Sequence, residues 1–123
     1  MAGAVHLPWY ATGFRADRLE DALNEVAPSA LRYGATSYQV HRYRDDRYKF
    51  LHICTFPEKL DFDRWWSGPE MTRFRTLHSG WFQVPMTYGW SDITAEGALP
   101  EDPITGGAPG QVIGAGEETG DVF

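Results

Sequence analysis

The sequence predicts an α+β domain with the element order βαββαβ, followed by an acidic tail. Three observations predict it. Several segments alternate apolar and polar residues with the period of a strand. Two stretches carry apolar residues at helical spacing. The charge is divided unevenly: residues 1–95 hold eleven acids and eleven bases, whereas 96–123 hold six acids, no base and the whole net charge of −6.

In Val5-His6-Leu7-Pro8-Trp9-Tyr10-Ala11-Thr12, Val5, Leu7, Trp9 and Ala11 share one face, which reads as a first strand. Pro8 has no amide donor, so the strand is expected to have an open edge or a bulge there. Leu19, Ala22, Leu23 and Val26 then fall at i, i+3, i+4 and i+7 of a helix, and Asp17 with Glu20 has capping-box spacing. Pro28 interrupts that helix and Gly34 ends its continuation. Thr36–Arg44 and Arg47–Phe56 are rich in β-branched and aromatic residues. Asp45-Asp46 is expected to join them as a two-residue hairpin turn.

A second helical region starts near Lys59. Ser67 and Glu70 suggest a restart with a capping box around Pro69. Met71, Phe74 and His78 share a face, and Gly80 terminates the helix. Phe82–Ile93 is expected as the last strand, with Val84, Met86, Tyr88 and Trp90 on one side. The order is that of the ferredoxin-like plait, two helices covering one face of an antiparallel four-stranded sheet. Leu51 and Ile53 place apolar bulk on the other face as well. The expectation is a homodimer with sheets face to face, a dimeric α+β barrel.

The tail, 96–123, has seven glycines and three prolines and keeps one of the 18 aromatics. It cannot offset its own ordering entropy by burial. Val112-Ile113 and Val122-Phe123 are sparse apolar anchors, so residues 110–123 are expected either to dock on this or a neighbouring subunit or to remain a solubilising tail. Arg42, Arg44, Arg47 and Lys49 beside the hairpin turn offer such a segment a complementary charge.

The net charge of −6, from 17 acidic and 11 basic residues, argues against nucleic acid as a partner. No apolar run suits a membrane span. A lone cysteine, Cys54, and the absence of a leader-like pattern point to the cytoplasm. There is no glycine-rich phosphate loop, no paired-cysteine motif, no nucleophile elbow and no His-x-x-x-His pair, which removes nucleotide, zinc-finger and hydrolase chemistry.

The element order, the aromatic strands and the run Phe62-x-x-Trp65-Trp66-Ser67-x-Pro69-Glu70-Met71-x-x-Phe74-x-x-x-His78 resemble the antibiotic biosynthesis monooxygenase group of dimeric α+β barrel proteins, over residues 4–93. The resemblance implies a small flat aromatic or polyketide-like molecule as ligand. It admits a cofactor-independent oxygenase, a haem-binding or haem-degrading protein, and a non-catalytic binding or assembly protein. His78 and His52 are the candidate catalytic residues. His78 is read as a base, an orienter or, alternatively, a haem ligand, and His52 as a second polar contact. Trp66, Trp65 and Tyr88 are the candidate substrate-binding residues, since a set of large rings suits a flat ligand. In haem-degrading relatives the helix histidine works with a pocket tryptophan and a first-strand polar residue. Trp9, Tyr10 and Thr12 stand in that last region here, with no asparagine. Competing structural readings are a helix-terminal His78 favoured by the dipole, core tryptophans, and Cys54 as a buried small hydrophobe.

Overall fold

The computed structural model describes residues 1–99. Met1–Ile93 forms one compact body. The docking expected of residues 110–123 lies outside the described residues.

The strands are β1 (Gly3–Tyr10), β2 (Ser37–Arg42), β3 (Lys49–Phe56) and β4 (Gly89–Asp92). They make one antiparallel sheet in the order β2-β3-β1-β4. The helices are α1 (Ala16–Val26), α2 (Lys59–Trp66) and α3 (Pro69–Leu77), with a 3₁₀ segment over Ala27–Tyr33 after α1. This is the ferredoxin-like plait. No helix among the described residues is long and apolar enough to cross a membrane.

The period-two reading fixes the covered face. Val5, Leu7 and Trp9 of β1 and Phe50, His52, Cys54 and Phe56 of β3 are all fully buried. They pack against Leu19 and Leu23 of α1, Phe62 and Trp65 of α2 and Met71 and Phe74 of α3. Pairing of Val5 with Cys54 and of Trp9 with Phe50 keeps this apolar set in register. Pro28 turns the end of α1 into the 3₁₀ segment, and Gly34 closes it at φ +101°, a left-handed conformation that glycine adopts without a Cβ clash.

Several local expectations change. Neither helix start uses a capping box. Arg15 precedes α1 and Gly68 precedes α3, neither with a side-chain cap. Asp17 and Glu20 instead both accept from Arg42 Nη1, at 2.8 and 2.7 Å. Glu70 accepts from Tyr33 Oη at 2.6 Å and Arg32 Nη2 at 3.0 Å. A charged or phenolic donor outcompetes the backbone amide for each carboxylate. Arg42 is therefore tied to α1 rather than free at the hairpin tip.

The hairpin turn is longer than two residues. Arg42 faces Phe50, and Tyr43 N–H donates to Lys49 O at 2.9 Å. Without a glycine for a tight primed turn, the tip is organised by Asp46. It accepts from Tyr48 N–H at 3.1 Å and from Tyr10 Oη at 2.6 Å.

The last strand is also shorter than expected. Only Gly89–Asp92 pairs with β1, over Gly3–His6, and Ala11 bridges to Phe82 further along. Val84 is 77% exposed. The reason lies in two prolines. Tyr10 O accepts from Gln83 N–H, and Ala2 O from Ile93 N–H, so even positions of β1 point their backbone toward β4. At Pro8 no N–H is there to bond, and Pro85 brings none from the other side. The strand paired with β1 is interrupted between them. The open edge expected at Pro8 thus exists inside the sheet rather than at its border.

The uncovered face is less apolar than expected. Leu51 and Ile53 are half-buried there, beside His41 and Tyr43, in a depression of about 410 Å³. His6, Gln39, Thr55 and Ser91 supply polar neighbours.

Candidate functional site

The aromatic residues that the sequence scatters through the chain meet between α2, α3 and the sheet. Trp9, from β1, is fully buried and touches Phe74 edge-on at 5.4 Å, Phe82 at 4.9 Å and Trp66 at 6.1 Å. Phe62, one helical turn before Trp65 and Trp66 on α2, sits 6.2 and 6.0 Å from them. Such tilted and edge-to-face pairs are favoured by the ring quadrupoles.

Trp65 is the sealed part of this cluster. It is fully buried, and its Nε1–H donates to Ser29 Oγ at 2.9 Å, which in turn donates to Val26 O at 2.6 Å. Trp66 is half-buried and lies at the border. Tyr88, 41% exposed, meets Trp66 edge-on at 5.3 Å and Phe62 at 5.0 Å. The three residues expected to hold a flat ligand therefore form a gradient from a sealed ring to an exposed one.

Arg75, on α3, completes this border. Its guanidinium carbon lies 4.1 Å from the Trp66 ring centroid, a stacking distance for a cation on a π face. Its Nη1 is shielded from solvent and reaches no acceptor. Burial lowers the guanidinium's pKa, with Tyr88 opposing. Sequence reading passed over Arg75. The available signal was its place four residues after Met71 and next to Phe74, which brings a cation to the edge of the apolar stripe.

His52 is fully buried. Trp9 Nε1–H donates to its Nδ1 at 3.4 Å, which assigns the ring proton to Nε2, facing Cys54 Sγ at 3.5 Å. Trp65 stands edge-on at 5.7 Å. Burial drives the His52 pKa down to about 4, and it pushes the Cys54 thiol up to about 12. His52 is thus a neutral acceptor that holds Trp9.

His78 lies elsewhere. It follows the last residue of α3, and its Nδ1–H donates to Phe74 O at 2.8 Å, leaving the Nε2 lone pair free in this tautomer. Phe74 and Trp81 flank the ring at 4.9 and 4.5 Å. It lines a groove of about 330 Å³ between α1, the 3₁₀ segment and α3. Phe74 and Trp9 stand between this histidine and Trp66. The fold brings Trp65, Trp66 and Tyr88 together and holds His52 behind them, and it places His78 on a different surface.

The groove is a poor match for haem: four charged residues, Glu25, Arg32, Glu70 and Arg73, share its walls with Ala22, Val26, Phe74 and Leu77. Tyr33 and Arg32 hold the Glu70 pKa down to about 2, so it remains a carboxylate. Among the described residues no cluster of three histidine, cysteine or carboxylate groups could hold a metal ion.

No family model and no curated protein matches the sequence. Solved structures do match the fold. Rv0793 from Mycobacterium tuberculosis superposes with a TM-score of 0.70 at 13% identity, covering 80% of this chain and 100% of that one. An antibiotic biosynthesis monooxygenase superposes at 0.67 and 14%, covering 77% and 100%. SnoaB, a cofactor-independent oxygenase from Streptomyces nogalater, superposes at 0.63 and 19%, covering 80% and 97%. The chain has the ferredoxin-like fold of the antibiotic biosynthesis monooxygenase proteins.

Proposed function

We propose that the chain is a monooxygenase-like protein that takes a flat, hydroxylated aromatic molecule against Trp66 and Tyr88 and oxidises it without a bound cofactor. The observation that carries this reading is the Trp66–Tyr88 pair, an exposed edge on an aromatic cluster whose inner rings are already packed. The likeness in fold to SnoaB, a cofactor-independent oxygenase, supports it.

The chemistry needs a substrate that can reduce dioxygen itself. An anthrone-type phenol does so as its anion. Its CH2 group loses two hydrogens and gains one oxygen as C=O, and the second oxygen atom leaves with the two hydrogens as water. The protein's share is to hold the anion and exclude water. Trp66 and Tyr88 supply the stacking surface, Trp65 and Phe62 back it, and His52 holds Trp9 behind it. His78 touches none of these rings and caps α3.

The same reading includes a homodimer across the uncovered sheet face, where Leu51 and Ile53 are the apolar centre.

Oxygen consumption with dithranol, corrected for its spontaneous oxidation, tests the proposal. Trp66→Ala is expected to lower turnover about twofold to tenfold, the worth of one ring stack. His78→Ala should leave turnover near wild type, whereas a loss of ~10²–10⁴ would make His78 a general base. Wild-type protein that consumes no more oxygen than buffer overturns the oxygenase reading.

A further inference from the structure

We infer that Arg75 is the residue that selects the ligand's charge: it recognises an oxyanion, phenolate or enolate, on a flat ring system held against Trp66. This rests on the ring-pair reading above and names its substrate class.

Arginine guanidinium groups are always charged and present five donors, so a shielded nitrogen without an acceptor is unusual. Among the described residues, Arg75 Nη1 is the only buried side-chain nitrogen or oxygen that lacks a partner. Two neighbouring arginines show the contrast, Arg42 holding Asp17 and Glu20 and Arg32 holding Glu70, whereas Arg18 and Arg73, which make no ion pair among the described residues, are exposed to water. The Trp66 ring face holds the Arg75 guanidinium carbon at 4.1 Å, a contact that uses the charge and leaves the N–H donors to serve something else.

The neighbours narrow what that is. Trp66 and Tyr88 offer rings and no carboxylate, and the Tyr88 hydroxyl makes no hydrogen bond to Arg75, so an acceptor carried on an aromatic body suits the place. Tyr88 meets Trp66 edge-on at 5.3 Å and is itself 41% exposed, in a stretch where β4 has not begun. A flat ligand held against Trp66 and Tyr88 brings a ring oxygen within reach of the guanidinium. A neutral hydroxyl satisfies one N–H weakly, whereas an anion makes a charge-assisted bond. Binding the anion in preference lowers the ligand's own pKa by linkage, so the oxidisable form accumulates without a general base.

Umbelliferone, a flat phenol whose neutral and anionic forms absorb differently, and herniarin, its non-ionisable methyl ether, are the probes. Wild-type protein is expected to bind umbelliferone about tenfold better than herniarin at a pH where umbelliferone ionises. The ionisation midpoint of the bound dye should then fall by about one pH unit, the same tenfold preference in another form. Arg75→Gln should erase both effects, and Arg75→Lys should restore part of them. If Arg75→Gln does not fold, the wild-type midpoint alone decides. Equal binding of the two probes with an unshifted midpoint overturns the role of Arg75 and leaves the ring pair standing. Binding of neither probe, or binding that Trp66→Ala does not weaken, removes the ring-pair reading and this inference with it.

Discussion

His52 makes folding stability depend on pH in a range where few other groups act. Its folded pKa is about 4 against an ordinary 6.5, so the unfolded chain binds a proton that the folded chain refuses. The sign follows directly. Stability is full above pH 6.5 and is lost as pH falls toward 4, because acid favours the state that takes up the proton. The full difference, at about 1.4 kcal/mol per pH unit, is about 3 kcal/mol. Between about pH 7 and about pH 5 the loss comes to about 2 kcal/mol, a sizeable part of the ~5–15 kcal/mol that holds a domain together. Carboxylates whose pKa values are lowered by folding, Glu70 and Asp46, add their own loss only further into acid. His52→Asn is the matched control: Asn Oδ1 can take the Trp9 N–H that Nδ1 accepts, and it does not titrate. Urea unfolding followed by tryptophan fluorescence should show a wild-type midpoint falling by about 1 M between the two pH values. The variant, although less stable at neutral pH, should fall much less. Parallel losses in the two proteins would refute the assignment of the buried imidazole as the titrating group.

Gly68→Ala should destabilise by about 1–3 kcal/mol, since a Cβ there would lie 2.7 Å from Tyr33 Oη and 2.9 Å from Arg64 O. Thermal melts of Gly68→Ala with and without Tyr33→Phe should show the second change recovering part of the loss. Haem titration is expected to give no Soret band that depends on His78, and a band abolished by His78→Ala would reverse that. Sedimentation should give a dimer at micromolar concentration that Ile53→Lys dissociates, whereas a stable folded wild-type monomer would rule out the face-to-face pairing.

The parts of the fold legible in the sequence were those set by apolar spacing. Val5, Leu7 and Trp9, or Leu19, Ala22 and Leu23, reveal their face because burial acts on each residue separately. Helix caps and the hairpin tip were not legible, since they depend on competition from distant partners. Asp17 and Glu20 have the right spacing for a cap, yet Arg42, distant in sequence, takes them. The site divides in the same way. Rings could be singled out by type, and Trp65, Trp66 and Tyr88 do meet. Which histidine faces which surface depends on helix phase near a terminus, and Arg75 stands out only once its lack of a partner is known.

The interruption opposite Pro8 has a consequence for self-association. A sheet that stops pairing midway would ordinarily offer a docking ledge to a strand of another molecule, a route toward fibrils. Here the ledge has a missing rung. β1 presents no donor at Pro8, and the stretch passing beside it carries Pro85, so an incoming strand would find its carbonyl unanswered at the centre of the gap. The two prolines that shorten β4 thus also act as a guard against strand addition. Replacing Pro8 with a β-branched residue would restore the donor that an incoming strand needs.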